Sequence, residues 1–272
     1  GYLTDVFGKQ AVDFVAAKDP RPWFLFLSFT APHAPMHATE EDLARFASIE
    51  SKKRRTYAAM VWAMDRAIGT VVEQLKANGT FDNTLIWFLS DNGGATANAS
   101  VNLPLSGHKG IKFEGGHRVP YIMHWTQELR GGTEFDGLSS SLDILPTAVA
   151  AAGGSIPESA RLDGVNLLPF LQGKQDGAPH AELYWHKLWF SAMRQGPWKL
   201  IWIQDYGSAL YQLDDDLAEK HNLASKKPQR LNKMQAALDT WKEGLMEPLW
   251  REGENWFRVH GKTQIRLIEG GE

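Results

Sequence analysis

Three short segments hold residue types suited to chemistry on an anion. In Ser90-Asp91-Asn92-Gly93-Gly94, a carboxylate and an amide stand side by side where an apolar run ends. Their oxygens suit a hard cation such as Ca²⁺ or Mg²⁺, and the glycines let backbone and ligand approach closely. Two oxygens do not fill a coordination sphere, and an ordinary Asp-Asn-Gly turn fits the same residues. In Gly107-His108-Lys109-Gly110-Ile111-Lys112-Phe113-Glu114-Gly115-Gly116-His117-Arg118-Val119-Pro120, two lysines, two histidines and an arginine lie among glycines. Clustered cations in a glycine-rich loop suit a tetrahedral oxyanion. The spacing is not that of a P-loop, and a solvated basic loop is the competing reading. Lys112 is expected to be solvated and Glu114 to pair with Arg118. In Pro32-His33-Ala34-Pro35, a histidine sits on a proline-stiffened loop. It could donate to an anion or act as a general acid, and a surface histidine fits equally well. His37 reads as structural.

These segments need elements to position them. Val6 to Ala17 shows helical spacing, ended by Asp19-Pro20-Arg21-Pro22. Trp23 to Phe29 is a continuous apolar run, read as a strand buried on both faces. Arg55 to Lys76 carries the strongest stripe, through Tyr57, Met60, Val61, Met64, Ile68, Val71, Val72 and Leu75, stopped by Asn78-Gly79. Thr84 to Leu89 and Val119 to Trp125 read as further strands, and Leu142 to Ala152 as a helix. Polar residues at strand exits and alternating elements predict an α/β fold, a largely parallel mixed sheet flanked by helices. After about residue 180, short aromatic runs between Gly-Pro and Asp-rich turns predict a small antiparallel sheet, with a helix over Arg230 to Trp241. The expected division is therefore 1–180 and 181–272.

Composition excludes several classes. There are 29 Lys+Arg against 32 Asp+Glu, a net charge of −3 over 272 residues. That argues against a nucleic-acid partner, and Lys52-Lys53-Arg54-Arg55 reads as a solvated face. Asp214-Asp215-Asp216 lacks calcium-loop spacing and reads as a turn. No apolar run is long enough to span a membrane. With no cysteine, disulfides, Cys-bound zinc and a cysteine nucleophile are excluded within this sequence.

Taken in order, the segments resemble the sulfatase family of the alkaline-phosphatase-like superfamily. The matching stretches are Phe24 to Pro35, Tyr57 to Gly69, Asp82 to Gly94, Gly110 to Pro120, Asp163 to Leu171 and Leu210 to Asp214. Their collinearity over roughly residues 20–224 carries the resemblance. It implies that Asp91 and Asn92 are one pair of divalent-metal ligands, with Ca²⁺ or Mg²⁺ as the ion. It implies that Lys109 binds the sulfate oxygens, with His108 beside it. It also implies that His33 contacts the sulfate ester as a proton donor to the leaving alcohol. The family's early aspartate pair and its Cys-x-Pro-Ser-Arg type segment, the source of the formylglycine nucleophile, are not found here. The sequence also opens at Gly1 with no initiator methionine or signal region.

The expectation is thus the carboxy-terminal portion of a sulfatase, inactive alone. Its partners would be a sulfate ester, such as a sulfated sugar or aryl sulfate, and an amino-terminal portion of the same enzyme. Family resemblance implies an exported or lysosomal protein. Two alternatives stay open: a phosphate or phosphonate ester hydrolase of the same superfamily, and a non-catalytic domain that binds sulfated glycans. The aromatic segment Tyr184 to Phe190 is a weaker candidate for a sugar subsite.

Overall fold

Apolar stripes at spacings of three and four build the first helices. In the computed structural model, which describes residues 1–17, 19, 21–250 and 254–271, these are α1 (Leu3–Ala16), the short α2 (Glu40–Arg45) and α3 (Lys52–Ala77). The Ser51 hydroxyl accepts the Arg54 N–H at the start of α3. At its end Gly79 takes φ +70°, where a side chain would be strained. α1 lies so close on α3 that a Cβ on Gly8 would sit 2.8 Å from that of Ala67. Arg66 of α3 bridges Asp5 of α1, at 2.9 Å, and the buried Asp42 of α2.

The apolar runs that follow pair differently from the expectation. β1 (Ile86–Leu89) and β2 (Tyr121–His124) form an antiparallel pair. Residues 23–29 join no ladder, and no parallel ladder forms among the described residues. From Leu25 to Thr30, exposure still alternates residue by residue, the period of a strand. A continuous apolar run tells that a segment suits a sheet, but not which neighbour supplies its hydrogen bonds. After β1 come α4 (Glu114–His117), α5 (Ile144–Ala151) and α6 (Leu168–Leu171). Asp143 caps the turn before α5, accepts the Val165 N–H at 2.8 Å and meets His180 at 2.7 Å.

The carboxy-terminal part holds the expected small sheet. β3 (Glu182–Lys187), β4 (Phe190–Gln195), β5 (Trp198–Ile203) and β6 (Gly207–Gln212) form an antiparallel meander. Its alternating side chains feed two cores. On one face Met193, Leu200 and Leu210 pack against Met234 and Leu238 of α7 (Pro228–Glu243). On the other, Phe190, Ala192, Ile201, Ala209 and Tyr211 pack against Ile111 and Phe113, and Ile265 and Ile268 of α8 (Glu254–Ile268) cover them. The sheet therefore grips the glycine-rich loop directly.

Candidate active site

The glycine-rich loop is laced to the Ser90–Gly94 turn by backbone hydrogen bonds. Gly93 N–H donates to Gly116 O at 3.0 Å, and Lys109 N–H donates to Gly94 O at 3.1 Å. Asn102 completes the link: its Oδ1 accepts from Gly94 N–H, and its Nδ2 serves the carbonyls of Gly94 and Gly107. The close approach explains the glycines. A Cβ on Gly93 would fall 1.9 Å from Gly115 O, and one on Gly116 would fall 2.1 Å from Ile111 O.

The third segment meets this pair of loops. Asn98 Nδ2 donates to Pro32 O at 3.2 Å, and Arg54 of α3 donates to Ala99 O at 2.9 Å. His33 Nε2 then lies 3.4 Å from Lys109 Nζ, across 76 residues of sequence. The chemistry of the partners fixes the ring's neutral tautomer. Ala34 O, 2.6 Å from Nδ1, can only accept. The ammonium of Lys109 can only donate. Nδ1 therefore carries the hydrogen and Nε2 is left as the reactive nitrogen. His108 is set alike, with Nδ1 2.9 Å from Lys109 O. His33 and Lys109 are thus brought together from separate loops, and His108 adjoins Lys109 in sequence.

A buried ionic cluster fixes the far end of the loop, which sequence reasoning missed. Lys199 of β5 is fully buried and contacts Glu114 at 2.8 Å and Glu219 at 3.0 Å. Glu219 Oε2 also accepts the Glu114 N–H at 2.6 Å. Arg194 adds 3.2 Å to Glu114, and Arg118 lies at 3.6 Å, so the expected Glu114–Arg118 pairing is the weakest part of a larger set. Burial alone would raise the Glu114 carboxyl, but the charge of Lys199 and its hydrogen bond outweigh it and hold it down at about 2. Burial instead pushes Glu219 up to about 7, against the pull of Lys199. Lys112 departs from expectation: it is only 9% exposed, and burial, then the charges of Lys187 and Lys199, push its ammonium down to about 8. His117 is pushed down to about 3, chiefly by burial, and stacks on Trp185 at 4.3 Å. Tyr184 stacks on Trp241 at 4.9 Å, so both leading aromatics of the proposed sugar subsite are used in packing. Asp216 accepts from the N–H groups of Lys220 and His221, the turn read from sequence.

Asp91 and Asn92 stand at the exit of β1, Asp91 exposed and Asn92 half-buried. Asn92 Nδ2 donates to Gly93 O at 3.2 Å. A carboxylate and an amide oxygen beside a backbone turn fit a hard divalent cation in part. Among the described residues no group of three or more His, Asp or Glu side chains gathers around a metal position.

Two family profiles match the chain: Sulfatase over residues 1–155, and N-sulphoglucosamine sulphohydrolase, C-terminal, over residues 108–244. The uncharacterized sulfatase YdeN of Escherichia coli (strain K12) is 32% identical over 94% of this chain and 53% of its own length. N-acetylgalactosamine-6-sulfatase of Homo sapiens is 34% identical over 63% of this chain and 33% of its own length. Among solved structures, Ps i-CgsB in complex with k-i-k-neocarrahexaose superposes with a TM-score of 0.87 at 35% identity, over 98% of this chain and 61% of that one. The chain thus spans 53% of YdeN, 33% of the N-acetylgalactosamine-6-sulfatase and 61% of the Ps i-CgsB chain. The fold is the alkaline-phosphatase-like one with a four-stranded antiparallel sheet after it. A profile match over more than half the residues, carrying the Lys109 loop and the His33 loop that the fold brings together, makes this chain a member of the sulfatase family.

Proposed function

We propose that this chain is part of an exported or lysosomal sulfatase that hydrolyses the sulfate ester of a sulfated sugar. The observation that supports it is the contact between His33 Nε2 and Lys109 Nζ, which brings two groups suited to an anion together from separate loops. Lys109 offers a fixed positive charge where the sulfate oxygens gain charge in the transition state. His33, in its imidazolium form, offers the Nε2 proton to the departing alcohol oxygen while Ala34 O holds Nδ1–H. Asp91 and Asn92 would supply two ligands for Ca²⁺ or Mg²⁺. The ion would add Lewis acidity, and a formylglycine outside these residues would add the nucleophile.

The test is hydrolysis of 4-nitrophenyl sulfate by the full-length protein, with 4-nitrophenyl phosphate alongside. Sulfate hydrolysis should dominate. Lys109→Ala should lower kcat/KM by about a hundredfold or more, the order of one lost charge-stabilising donor. His33→Ala should lower kcat more for poor leaving groups than for nitrophenol. Preferential phosphate hydrolysis favours the phosphatase alternative, and absence of either activity favours a glycan-binding domain.

A further inference from the structure

Residues 95–106 join the Asp91–Asn92 turn to the Lys109 loop, and they turn a polar side chain inward. Val101 is 60% exposed and Leu103 82%, whereas Asn102 between them is half-buried. Apolar side chains left in water around an inward amide reverse the usual hydropathy, so the amide has work that burial of its neighbours does not do. Each polar atom of that amide is bonded. Oδ1 accepts the Gly94 N–H at 2.9 Å, and Nδ2 donates to Gly94 O and to Gly107 O, each at 3.0 Å. Both hydrogens of Nδ2 are thereby used. The backbone of Asn102 is held too, its carbonyl accepting the Leu105 N–H at 2.9 Å.

These partners belong to the two segments that carry the proposed chemistry. Gly94 ends the segment of Asp91 and Asn92, and Gly107 opens the segment of Lys109. Gly94 O also accepts the Lys109 N–H at 3.1 Å, so one carbonyl serves both the amide and the lysine's own backbone. The fit leaves no slack, because a Cβ on Gly94 would fall 2.9 Å from Asn102 Oδ1. We propose that Asn102 is a positioning residue, holding the Asp91–Asn92 turn and the Lys109 loop as one frame that sets the divalent cation against the sulfate oxygens. The role rests on the sulfatase reading, which assigns Lys109 to sulfate. Asn102 touches neither ion nor substrate; it acts through Gly94 and Gly107. A misplacement of about 1 Å between two such groups is enough to cost about a hundredfold in rate.

The test uses the full-length protein. Ca²⁺ affinity is read by titration calorimetry without substrate, and turnover with 4-nitrophenyl sulfate at saturating Ca²⁺. Asn102→Ala should weaken Ca²⁺ binding about tenfold, the scale on which residues that orient metal ligands act. It should also lower kcat/KM about tenfold or more. That loss should shrink to about twofold or less when Lys109→Ala is already present, the mark of two residues acting as a unit. A residue that serves only the fold would lower the melting temperature and leave the Ca²⁺ affinity of the folded protein unchanged. That result overturns the proposal, as does an equal loss of kcat/KM in both backgrounds. If Asn102→Ala does not fold, the wild type still decides. Ca²⁺ should slow hydrogen exchange of the peptide over residues 105–113 about tenfold, since the ion would then stiffen the Lys109 loop through the link. Exchange indifferent to Ca²⁺ would separate the two loops and overturn the proposal. A wild type with no aryl sulfatase activity would overturn the sulfatase reading instead, while Ca²⁺ affinity and exchange would still judge the link.

Discussion

Glu219 is the residue whose ionisation the fold resists most plainly. It is 1% exposed, and burial pushes its carboxyl up to about 7. An acid raised in this way supplies stability through its protonated form. That stability is complete below about pH 4.5 and is lost as pH rises through about 7. His117 slopes the other way. Its ring is pushed down to about 3, so the stability of its neutral form is complete above about pH 6.5 and lost as pH falls through about 3. Between them the two opposing slopes flatten the wild-type profile. Glu219→Gln removes one slope, mimicking the protonated acid. The melting temperature of the variant minus that of the wild type should therefore grow between pH 5 and pH 8. The rise should reflect about 1–3 kcal/mol, or several degrees. A difference that is flat or falls with pH would show that Glu219 is ionised in the fold at pH 5. Neither slope is legible in the sequence. Glu219 lies in no motif of the sequence, and His117 reads as one more cation in a basic loop. Lys109 and His33 were legible because their neighbours, glycines and prolines, announce held backbone.

At the scale of elements, the loop carrying Lys109 is positioned by β5 as much as by its own glycines. Lys199 reaches from that strand to Glu114 at the first turn of α4 and to Glu219. Replacing it with Met keeps the length of the side chain but leaves two buried carboxylates facing each other. Breaking such a cluster on one side costs about 3–5 kcal/mol. Measured at about pH 9, above the range where Glu219 keeps its proton, Lys199→Met should thus lower the midpoint of chemical denaturation sharply, and Lys199→Met/Glu219→Gln should recover part of the loss by removing one uncompensated charge. Absence of recovery would mean that Glu219 and Glu114 do not share the lysine. Helices with an apolar stripe, such as α3, were readable from spacing alone, as were the aromatic strands β3, β5 and β6. β4 was missed because its apolar and polar residues do not form a run. α8 was missed because Gly261 and Gln264 share its inward side with Ile265, Leu267 and Ile268 and interrupt the apolar stripe.

For the whole molecule, the uneven distribution of apolar surface decides how the chain behaves. Phe24 is 70% exposed, Phe26 79%, Leu142 56% and Leu145 54%. Phe24, Leu142, Leu145 and Leu162 line one open depression. Phe24 and Phe26 belong to the segment that has a strand's alternation but no ladder partner. A stable monomer seldom leaves so many large apolar side chains together in water, and an unpaired extended segment invites pairing with another chain. If the proposed reading is right, further residues of the enzyme cover this face. The same substitutions should then have opposite effects in two settings. In the isolated 272-residue chain, Phe26→Ser with Leu145→Glu should raise the monomer fraction in size-exclusion chromatography and lower the binding of an apolar dye. In the full-length protein they should cost about 1.5–3 kcal/mol for each large side chain uncovered, by loss of burial. An isolated wild-type chain that stays monomeric and binds no dye would show that this face is satisfied by water. Destabilisation of both forms alike would show that the two residues serve the chain's own core. Only the opposite signs assign the face to a complementary part of the enzyme, the part from which a nucleophile would reach His33 and Lys109.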